Sequence, residues 1–184
     1  MIQQTFGPRR CRDTRKPPAN QCPEVSFYRC ETCGGLFPAI AAPPPGETEI
    51  ICCGSKAVHL IPESQDLVND KIHLSYRITG GYNDNAVEVF WEALKPEYMP
   101  EWMYLKTFTG GYLKYLPETK RPPLVFSLAD TDAFAYCDED PCLECVFRCK
   151  RGFVIYSFSR ETGLTAIPLD KMTAQWQSGA NEKA

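Results

Sequence analysis

Residues 28–61, YRCETCGGLFPAIAAPPPGETEIICCGSKAVHLI, decide how the first part of this chain folds. The stretch places Cys30 and Cys33 with two residues between them, and it sets Cys52 directly beside Cys53. Adjacent cysteines rarely bond to each other, because the small ring that results strains the peptide between them. Four converging thiolates suit a tetrahedral metal ion better, and both zinc and iron accept them. The pattern therefore predicts a four-cysteine metal site, with unligated buried thiols as the alternative.

The composition limits the classes of protein to which the chain can belong. Its 184 residues, 43% of them hydrophobic, are enough for one core and a small satellite module. The net charge of −3, without a basic stripe, argues against nucleic acid as a partner. No apolar run approaches the roughly 20 residues that span a bilayer, so no membrane association is expected.

The cysteine content indicates the compartment. The N-terminal residues lack the apolar stretch of a secretory signal, so we expect a cytoplasmic protein. In that reducing environment the ten cysteines are expected to be metal ligands or redox groups rather than a disulfide framework. Cys11 and Cys22 are expected to be free thiols in a flexible tail, with a supplementary ligand or a redox pair as alternatives.

Proline, glycine and hydrophobic patterning divide the chain into four parts. Residues 1–23 are basic and proline-rich and predict a flexible tail, and residues 24–62 predict a small module that a metal ion must hold together. Residues 72–160 form short alternating segments with glycine turns, which indicates an antiparallel β-sandwich, and residues 161–184 predict a polar tail. The fold class expected is therefore all-β. The predicted strands are residues 25–30, 49–52, 57–61, 72–79, 86–94, 102–108, 112–116, 123–128, 133–137, 145–149 and 152–158.

A second cysteine group lies in CDEDPCLECVFRCKRG, which holds Cys137, Cys142, Cys145 and Cys149 with the spacing C-x4-C-x2-C-x3-C. Four thiolates within thirteen residues can converge on a metal without long loops. An iron–sulfur cluster, of the [4Fe–4S] type, is one interpretation. A single zinc or iron ion in four thiolates is the second, and unligated or disulfide-forming cysteines are the third.

Several stretches resemble the desulfoferrodoxin family. FYRCETCGGLF and IICCGSKAVHLI are similar to its N-terminal desulforedoxin module, which implies an iron ion in a distorted, rubredoxin-like site made by Cys30, Cys33, Cys52 and Cys53. DKIHLSYRITGG, EWMYLKTFTGGYLKYL and PPLVFSLADTDAFAYCDED follow in the family's order, so that residues 27–140 are covered. The resemblance implies that the second domain is an immunoglobulin-like sandwich. In the family this domain carries the superoxide reductase centre, an iron ion with four equatorial histidines and one axial cysteine.

The histidine content departs from that implied centre. The chain has two histidines, His59 and His73, so four cannot surround an iron ion. By the resemblance, His73 and Cys137 stand where the first histidine and the axial cysteine belong, and Asp140 stands where another histidine belongs. Depending on how the stretch EALKPEYMPEW is aligned, Glu92 takes a further position. These residues predict at most a remnant site with mixed ligands, and His73 as an ordinary strand histidine is the alternative.

Three functions follow as expectations. The first is an iron-binding redox protein that transfers one electron through the four-cysteine iron and a C-terminal cluster. Such a protein implies a rubredoxin- or ferredoxin-like donor, and the resemblance implies that the small module can pair as a homodimer. The second is a structural zinc-binding interaction protein on the same scaffold. The third is a residual superoxide reductase with an altered metal site.

Overall fold

The computed structural model describes residues 23–41, 49–79, 85–133, 150 and 152–169. Within these ranges the chain is all-β, as predicted, and holds no α-helix. The strands are β1 (Glu24–Arg29), β2 (Leu36–Ala41), β3 (Ile51–Cys52), β4 (Ser55–Lys56), β5 (Val58–Leu60), β6 (Glu63–Ser64), β7 (Ile72–Thr79), β8 (Ala86–Ala93), β9 (Trp102–Lys106), β10 (Gly111–Tyr115), β11 (Leu124–Ser127), β12 (Val154–Ser159) and β13 (Gly163–Pro168). Short 3-10 helices cover Gln65–Leu67, Pro96–Tyr98 and Asp130–Ala133. No helix in these ranges is long and apolar enough to cross a membrane.

Two sheets face each other around the main core. The larger has the order β10-β9-β12-β13-β6, and the smaller has the order β11-β8-β7. Neighbouring strands run antiparallel, except that β6 runs parallel to β13. Every second side chain of β7 is buried, because successive residues of a strand point to opposite faces. Met103 and Leu105 of β9 meet Val87 and Val89 of β8 in the core between the sheets.

The N-terminal module forms a third layer on the five-stranded sheet. Its own sheet has the order β2-β1-β5. Along β9, Met103 and Leu105 point into the sandwich, whereas Trp102 and Tyr104 point the other way and pack with Phe27 of β1. All five residues of β9 are consequently buried, because this strand is covered on both faces.

The predicted strands that lie on described residues agree with the structure to within two residues at each end, and the prediction for β7 is correct at both ends. The predicted strand at 145–149 and all but the first residue of the one at 133–137 lie outside the described residues. Strands β2, β4, β6 and β13 were not predicted. The prediction of a polar tail from residue 161 needs correction for β13, which pairs along its length with β12. Leu164 of β13 is buried in the aromatic cluster between the module and the five-stranded sheet. This burial stabilises the strand, although the polar composition of the segment predicted a tail.

Candidate metal centre

Four cysteine sulfurs of the module lie close enough together to hold one metal ion. Cys30 follows β1, Cys33 lies in the turn after it, Cys52 ends β3, and Cys53 lies in the turn between β3 and β4. All four sulfur atoms lie within 4.8 Å of one another, and none forms a disulfide. The Sγ atom of Cys52 lies 3.7 Å from that of Cys33 and 3.8 Å from that of Cys53. Sulfurs at about 2.3 Å from a tetrahedral zinc ion are about 3.8 Å apart, so these separations are those of a ligand set.

The first pair is shaped by a turn that returns the backbone to the end of β1. The amide of Gly34 donates to the carbonyl of Cys30, and the amide of Cys30 donates to the carbonyl of Gly35, each at 2.9 Å. Gly34 has a φ of 72°, a left-handed conformation that glycine adopts without a steric cost. The amide of Gly35 donates to the Sγ atom of Cys33 at 3.4 Å. Such N–H···S bonds orient a sulfur ligand and stabilise its thiolate.

The second pair is shaped by the β3–β4 hairpin. Cys52 pairs with Ser55, so Cys53 and Gly54 form a two-residue turn. Their φ angles are 51° and 77°, and two successive positive values are those of a type I′ turn, which favours Asn-Gly. Cys53 is the one non-glycine residue with positive φ in the described ranges. The sequence therefore uses a cysteine at a turn position that is conformationally unfavourable to it, and this brings its sulfur to the others.

The close approach of the thiols spreads their pKa values apart. Hydrogen bonding from the backbone of Cys33 lowers the pKa of Cys30 from the ordinary 9.0 to about 6. A hydrogen bond with the side chain of Cys33 raises the pKa of Cys52 to about 12, and the same partner raises the pKa of Cys53. The thiolate of Cys30 thus forms more readily than those of Cys52 and Cys53. A metal cation allows all of them to ionise together, because thiolates are its ligands.

The four cysteines differ in exposure. Cys30 is 2% exposed, Cys52 is half-buried, and Cys33 and Cys53 are exposed. The site therefore has one side embedded in the module and one side open to solvent. The soft thiolate set fits either iron or zinc and does not distinguish between them.

Comparisons with known proteins reveal a likeness in three dimensions. No protein-family model matches the sequence, and a search of curated proteins finds no match. Among solved structures, the superoxide reductase from Treponema pallidum matches with a TM-score of 0.52 and 18% sequence identity. The match covers 78% of this chain and 98% of that one. The fold resembles that of a superoxide reductase. At this identity the likeness shows the fold alone.

The two histidines lie in different parts of this superoxide reductase-like fold. His59 stacks on Tyr28 in the module, with ring centroids 4.9 Å apart. His73 is exposed on β7, where its Nδ1 atom lies 3.3 Å from Oδ1 of Asn69. The residue opposite it on β8 is Glu92, also exposed. Among the described residues, the four module cysteines form the one group of three or more potential metal ligands that lie close together. His73 and Glu92 belong to no such group within those residues.

The remaining predicted site residues lie outside the described residues. They are Cys11, Cys22, Cys137, Asp140, Cys142, Cys145 and Cys149, and the interpretations given for them stay predictions. The residues on either side of positions 134–149 are fixed by buried groups. The Nζ atom of Lys150 donates to the carbonyl of Ala133 at 2.9 Å. Asp132 accepts from the amide and the hydroxyl of Thr109 at 3.2 and 2.6 Å.

Two residues beside the centre were missed by sequence reasoning. A Cβ atom on Gly35 would lie 3.4 Å from the ring of Phe37 and 3.3 Å from the sulfur of Cys33, so this ring borders the site. Arg29 lies against the same turn, since a Cβ atom on Gly34 would lie 3.6 Å from its Nη2 atom. The one signal in the sequence is that Arg29 directly precedes the first cysteine of the quartet.

Proposed function

We propose that this chain is an iron-binding redox protein in which Cys30, Cys33, Cys52 and Cys53 hold one iron ion. The observation that carries the proposal is the spacing of the four sulfurs, which are within 4.8 Å of one another and unbridged. The resemblance of the flanking sequence to the desulforedoxin module favours iron over zinc. The fold likeness to a superoxide reductase supports redox chemistry on this scaffold.

The residues of the site have separate roles in this proposal. Iron in four thiolates supplies one-electron exchange between the ferric and ferrous states. Cys30 anchors the buried side, and the amide of Gly35 stabilises the thiolate of Cys33. The exposed sulfurs of Cys33 and Cys53 leave one side open to a partner. We propose a rubredoxin- or ferredoxin-like protein as the electron donor.

The proposal extends to the C-terminal cysteines Cys137, Cys142, Cys145 and Cys149. A [4Fe–4S] cluster or a second four-thiolate iron or zinc site there would give the chain two centres. A homodimer formed through the module belongs to the same proposal, and the molar mass in solution tests it.

Metal analysis of protein purified without oxygen tests the proposed iron site. Ferrous loading should give one iron per chain at the module, charge-transfer absorption from thiolate to ferric iron, and reversible one-electron titration. A variant with Cys142→Ser and Cys145→Ser isolates the module from the second cysteine group. In this background Cys30→Ser should abolish the remaining absorption. If the parent protein and the Cys142→Ser, Cys145→Ser variant are both colourless and bind only zinc, the proposal is contradicted.

A structural zinc protein is the second candidate, because the donor set suits zinc equally. The turns that carry the cysteines have few buried side chains of their own, so an ion that holds them together would stabilise the module. In this case zinc should displace iron, and the iron-loaded protein should show no reversible titration. The redox proposal expects the opposite result from the same titration.

A residual superoxide reductase is the third candidate, and the fold likeness favours it. The two histidines of the chain oppose it, because they cannot supply the four equatorial ligands that the family resemblance implies. Consumption of pulse-generated superoxide that is lost in Cys137→Ser, but not in Cys30→Ser, would support this function. Equal rates in the two variants would exclude Cys137 from the reaction.

A further inference from the structure

Arg29 joins the cysteine turn to the five-stranded sheet beneath the module. On the basis of the proposed four-cysteine site, we infer that Arg29 sets the electrostatic environment of the metal centre. Its guanidinium, held over the ring of Phe158, stabilises the negative charge that metal-bound thiolates carry. Arg29 is thus a positioning residue that tunes metal affinity and reduction potential without ligating the ion.

The position of Arg29 places its charge against the turn that carries two of the four sulfurs. Arg29 is the last residue of β1, directly before Cys30. A Cβ atom on Gly34, which lies next to Cys33, would be only 3.6 Å from the Nη2 atom of Arg29. The guanidinium therefore lies beside Gly34, in the turn formed by residues 30–35.

The ring of Phe158 holds the guanidinium in that position. The guanidinium carbon of Arg29 lies 5.6 Å from the ring centroid, within the range of a cation–π interaction. Phe158 is 4% exposed and stacks on Trp102, with centroids 5.2 Å apart and an interplanar angle of 13°. This platform cannot turn away without disturbing the packing of the sheet. The planar guanidinium matches the ring face, which a lysine ammonium does not.

The charge of Arg29 is not neutralised by a carboxylate in the part of the chain that the structure describes. The ion pairs found there are Lys56–Glu49, Arg77–Glu88, Lys95–Glu97, Lys106–Glu24 and Arg160–Glu101. An arginine stays protonated at any physiological pH. Its full positive charge can therefore act on the thiolates of the adjacent turn.

The sign of the effect follows from charge counting. Four thiolates with a divalent ion carry a net charge of −2, and with a trivalent ion a net charge of −1. A nearby cation stabilises the more negative state more strongly. Arg29 should therefore increase the affinity for divalent metal, and for iron it should raise the reduction potential by favouring the ferrous form.

Zinc competition against a chromophoric chelator tests this role with the full chain in the Cys142→Ser, Cys145→Ser background. Arg29→Gln should lower the zinc affinity about tenfold, the lower end of the range for a residue that supports metal ligands. Arg29→Lys keeps the charge but not the planar contact with the ring of Phe158, so it should recover part of the affinity. Phe158→Leu removes the platform and should shift the affinity in the same direction as Arg29→Gln.

Arg77→Gln is a matched control. Arg77 is also a strand arginine over an aromatic ring, with its guanidinium carbon 5.4 Å from the centroid of Phe90. It lies on β7, in the three-stranded sheet on the far side of the sandwich from the module. Unchanged zinc affinity in Arg29→Gln, or an equal loss in Arg77→Gln, overturns the proposed role of Arg29.

The iron-loaded protein gives the second readout. Arg29→Gln should lower the reduction potential, and Arg77→Gln should leave it where it is in the parent protein. If the module binds zinc but not iron, the redox function fails, while the loss of zinc affinity still decides the role of Arg29. If Arg29→Gln binds zinc as the parent does and iron titrates reversibly, the role of Arg29 fails and the redox function stands.

Discussion

Cys53 occupies a backbone conformation that chains usually give to asparagine or glycine. Its φ of 51° is followed by the 77° of Gly54, and left-handed backbone disfavours a side chain with an ordinary Cβ atom. The hairpin between β3 and β4 holds the residue there. This local cost is offset if the sulfur of Cys53 completes a metal-binding quartet, because metal coordination stabilises such a module by far more.

The substitution Cys53→Asn keeps a residue suited to the turn and removes the sulfur, so it tests the ligand role of Cys53 independently of its role in the turn. Asparagine favours the same left-handed conformation, so the hairpin should form at least as well as in the parent protein. Loss of one of four thiolates should remove roughly a quarter of the ~10–16 kcal/mol of zinc binding, or about two to three orders of magnitude in affinity. Chelator competition measures this loss. Ser55→Ala in the same hairpin is the control, and an affinity equal to the parent's in Cys53→Asn would show that Cys53 is not a ligand.

The pKa values predict a steep dependence of metal binding on pH. At pH 7 Cys30, with a pKa of about 6, is already a thiolate, whereas Cys52, with a pKa of about 12, and Cys53, with a raised pKa, keep their protons. Metal binding should therefore release at least two protons, and the apparent zinc affinity should rise at least about a hundredfold for each pH unit near neutrality. Below pH 6 Cys30 must also lose its proton, so the dependence steepens.

Calorimetry in two buffers of different ionisation enthalpy counts those protons. A count below two at pH 7 would contradict this prediction, because at least one of the thiols of Cys52 and Cys53 would then have ionised before the metal bound. Cys30→Ser is a useful comparison, because the loss of a group that is already ionised should weaken binding without lowering the number of protons released at pH 7.

At the residue scale, the sequence could indicate the four cysteines that come together, because their spacing is a local pattern. Cys30 and Cys33, and likewise Cys52 and Cys53, are close along the chain, so each pair needs only one turn to converge. The position of Arg29 could not be predicted in this way. Its contact with Phe158 joins positions more than a hundred residues apart, which no local pattern encodes.

At the element scale, β9 and β10 show how a glycine and an aromatic residue fit across two strands. Gly111 opens β10 opposite Lys106, and the ring of Tyr104 lies over it. A Cβ atom on Gly111 would lie 2.2 Å from the ring and hydroxyl of Tyr104, far inside van der Waals contact. Tyr104 itself cannot move freely, because it packs edge-on against Phe27 at 5.2 Å.

Gly111→Ala should consequently destabilise the protein by about 1–3 kcal/mol, the usual effect of overpacking, because the added methyl group would press on the buried ring of Tyr104. Denaturant unfolding measures the change. The matched experiment repeats Gly111→Ala in a Tyr104→Leu background, where the clash is absent and the substitution should have little effect. An equal loss in both backgrounds would mean that the backbone, rather than the ring of Tyr104, requires glycine at this position.

The strands that sequence reasoning predicted best are those with regular alternation. β7 and β8 alternate between buried and more exposed residues along most of their length, and both were located. β2 was missed because LFPAIA has no alternation and contains Pro38. Proline is tolerated in an edge strand, where its missing amide hydrogen bond faces solvent. β2 is an edge strand, so it can contain Pro38. β13 was missed because its burial depends on two layers that only the folded chain brings together.

At the scale of the whole molecule, an aromatic cluster joins the module to the sandwich. Phe27 is 1% exposed, and its ring lies 5.1 to 5.2 Å from those of Trp102, Tyr104 and Tyr156. Lys106 adds an ion pair to Glu24 of β1 at 3.0 Å. One ring of this cluster therefore comes from β1 of the module, and the other three come from β9 and β12 of the sandwich.

This cluster separates two sources of stability within the module. β1 is held by Phe27 whether or not metal is bound, whereas the turns at residues 30–35 and 51–56 have mainly exposed or half-buried side chains. Removing the metal with a chelator should therefore release the two turns and leave β1 docked. We expect amide hydrogen exchange to speed up at least tenfold in the turns, and to change little in β8, β9 and β12.

Phe27→Ala provides the comparison, because it should cost about 3–5 kcal/mol and weaken the docking of β1 even with metal present. In that variant chelation should extend the fast exchange from the turns into β1, since neither the ion nor the aromatic ring then holds the strand. Uniformly fast exchange across the parent chain after chelation would mean that the metal supports the whole fold rather than two turns. Unchanged exchange rates in the turns would mean that no ion bound by the cysteines stabilises the two turns.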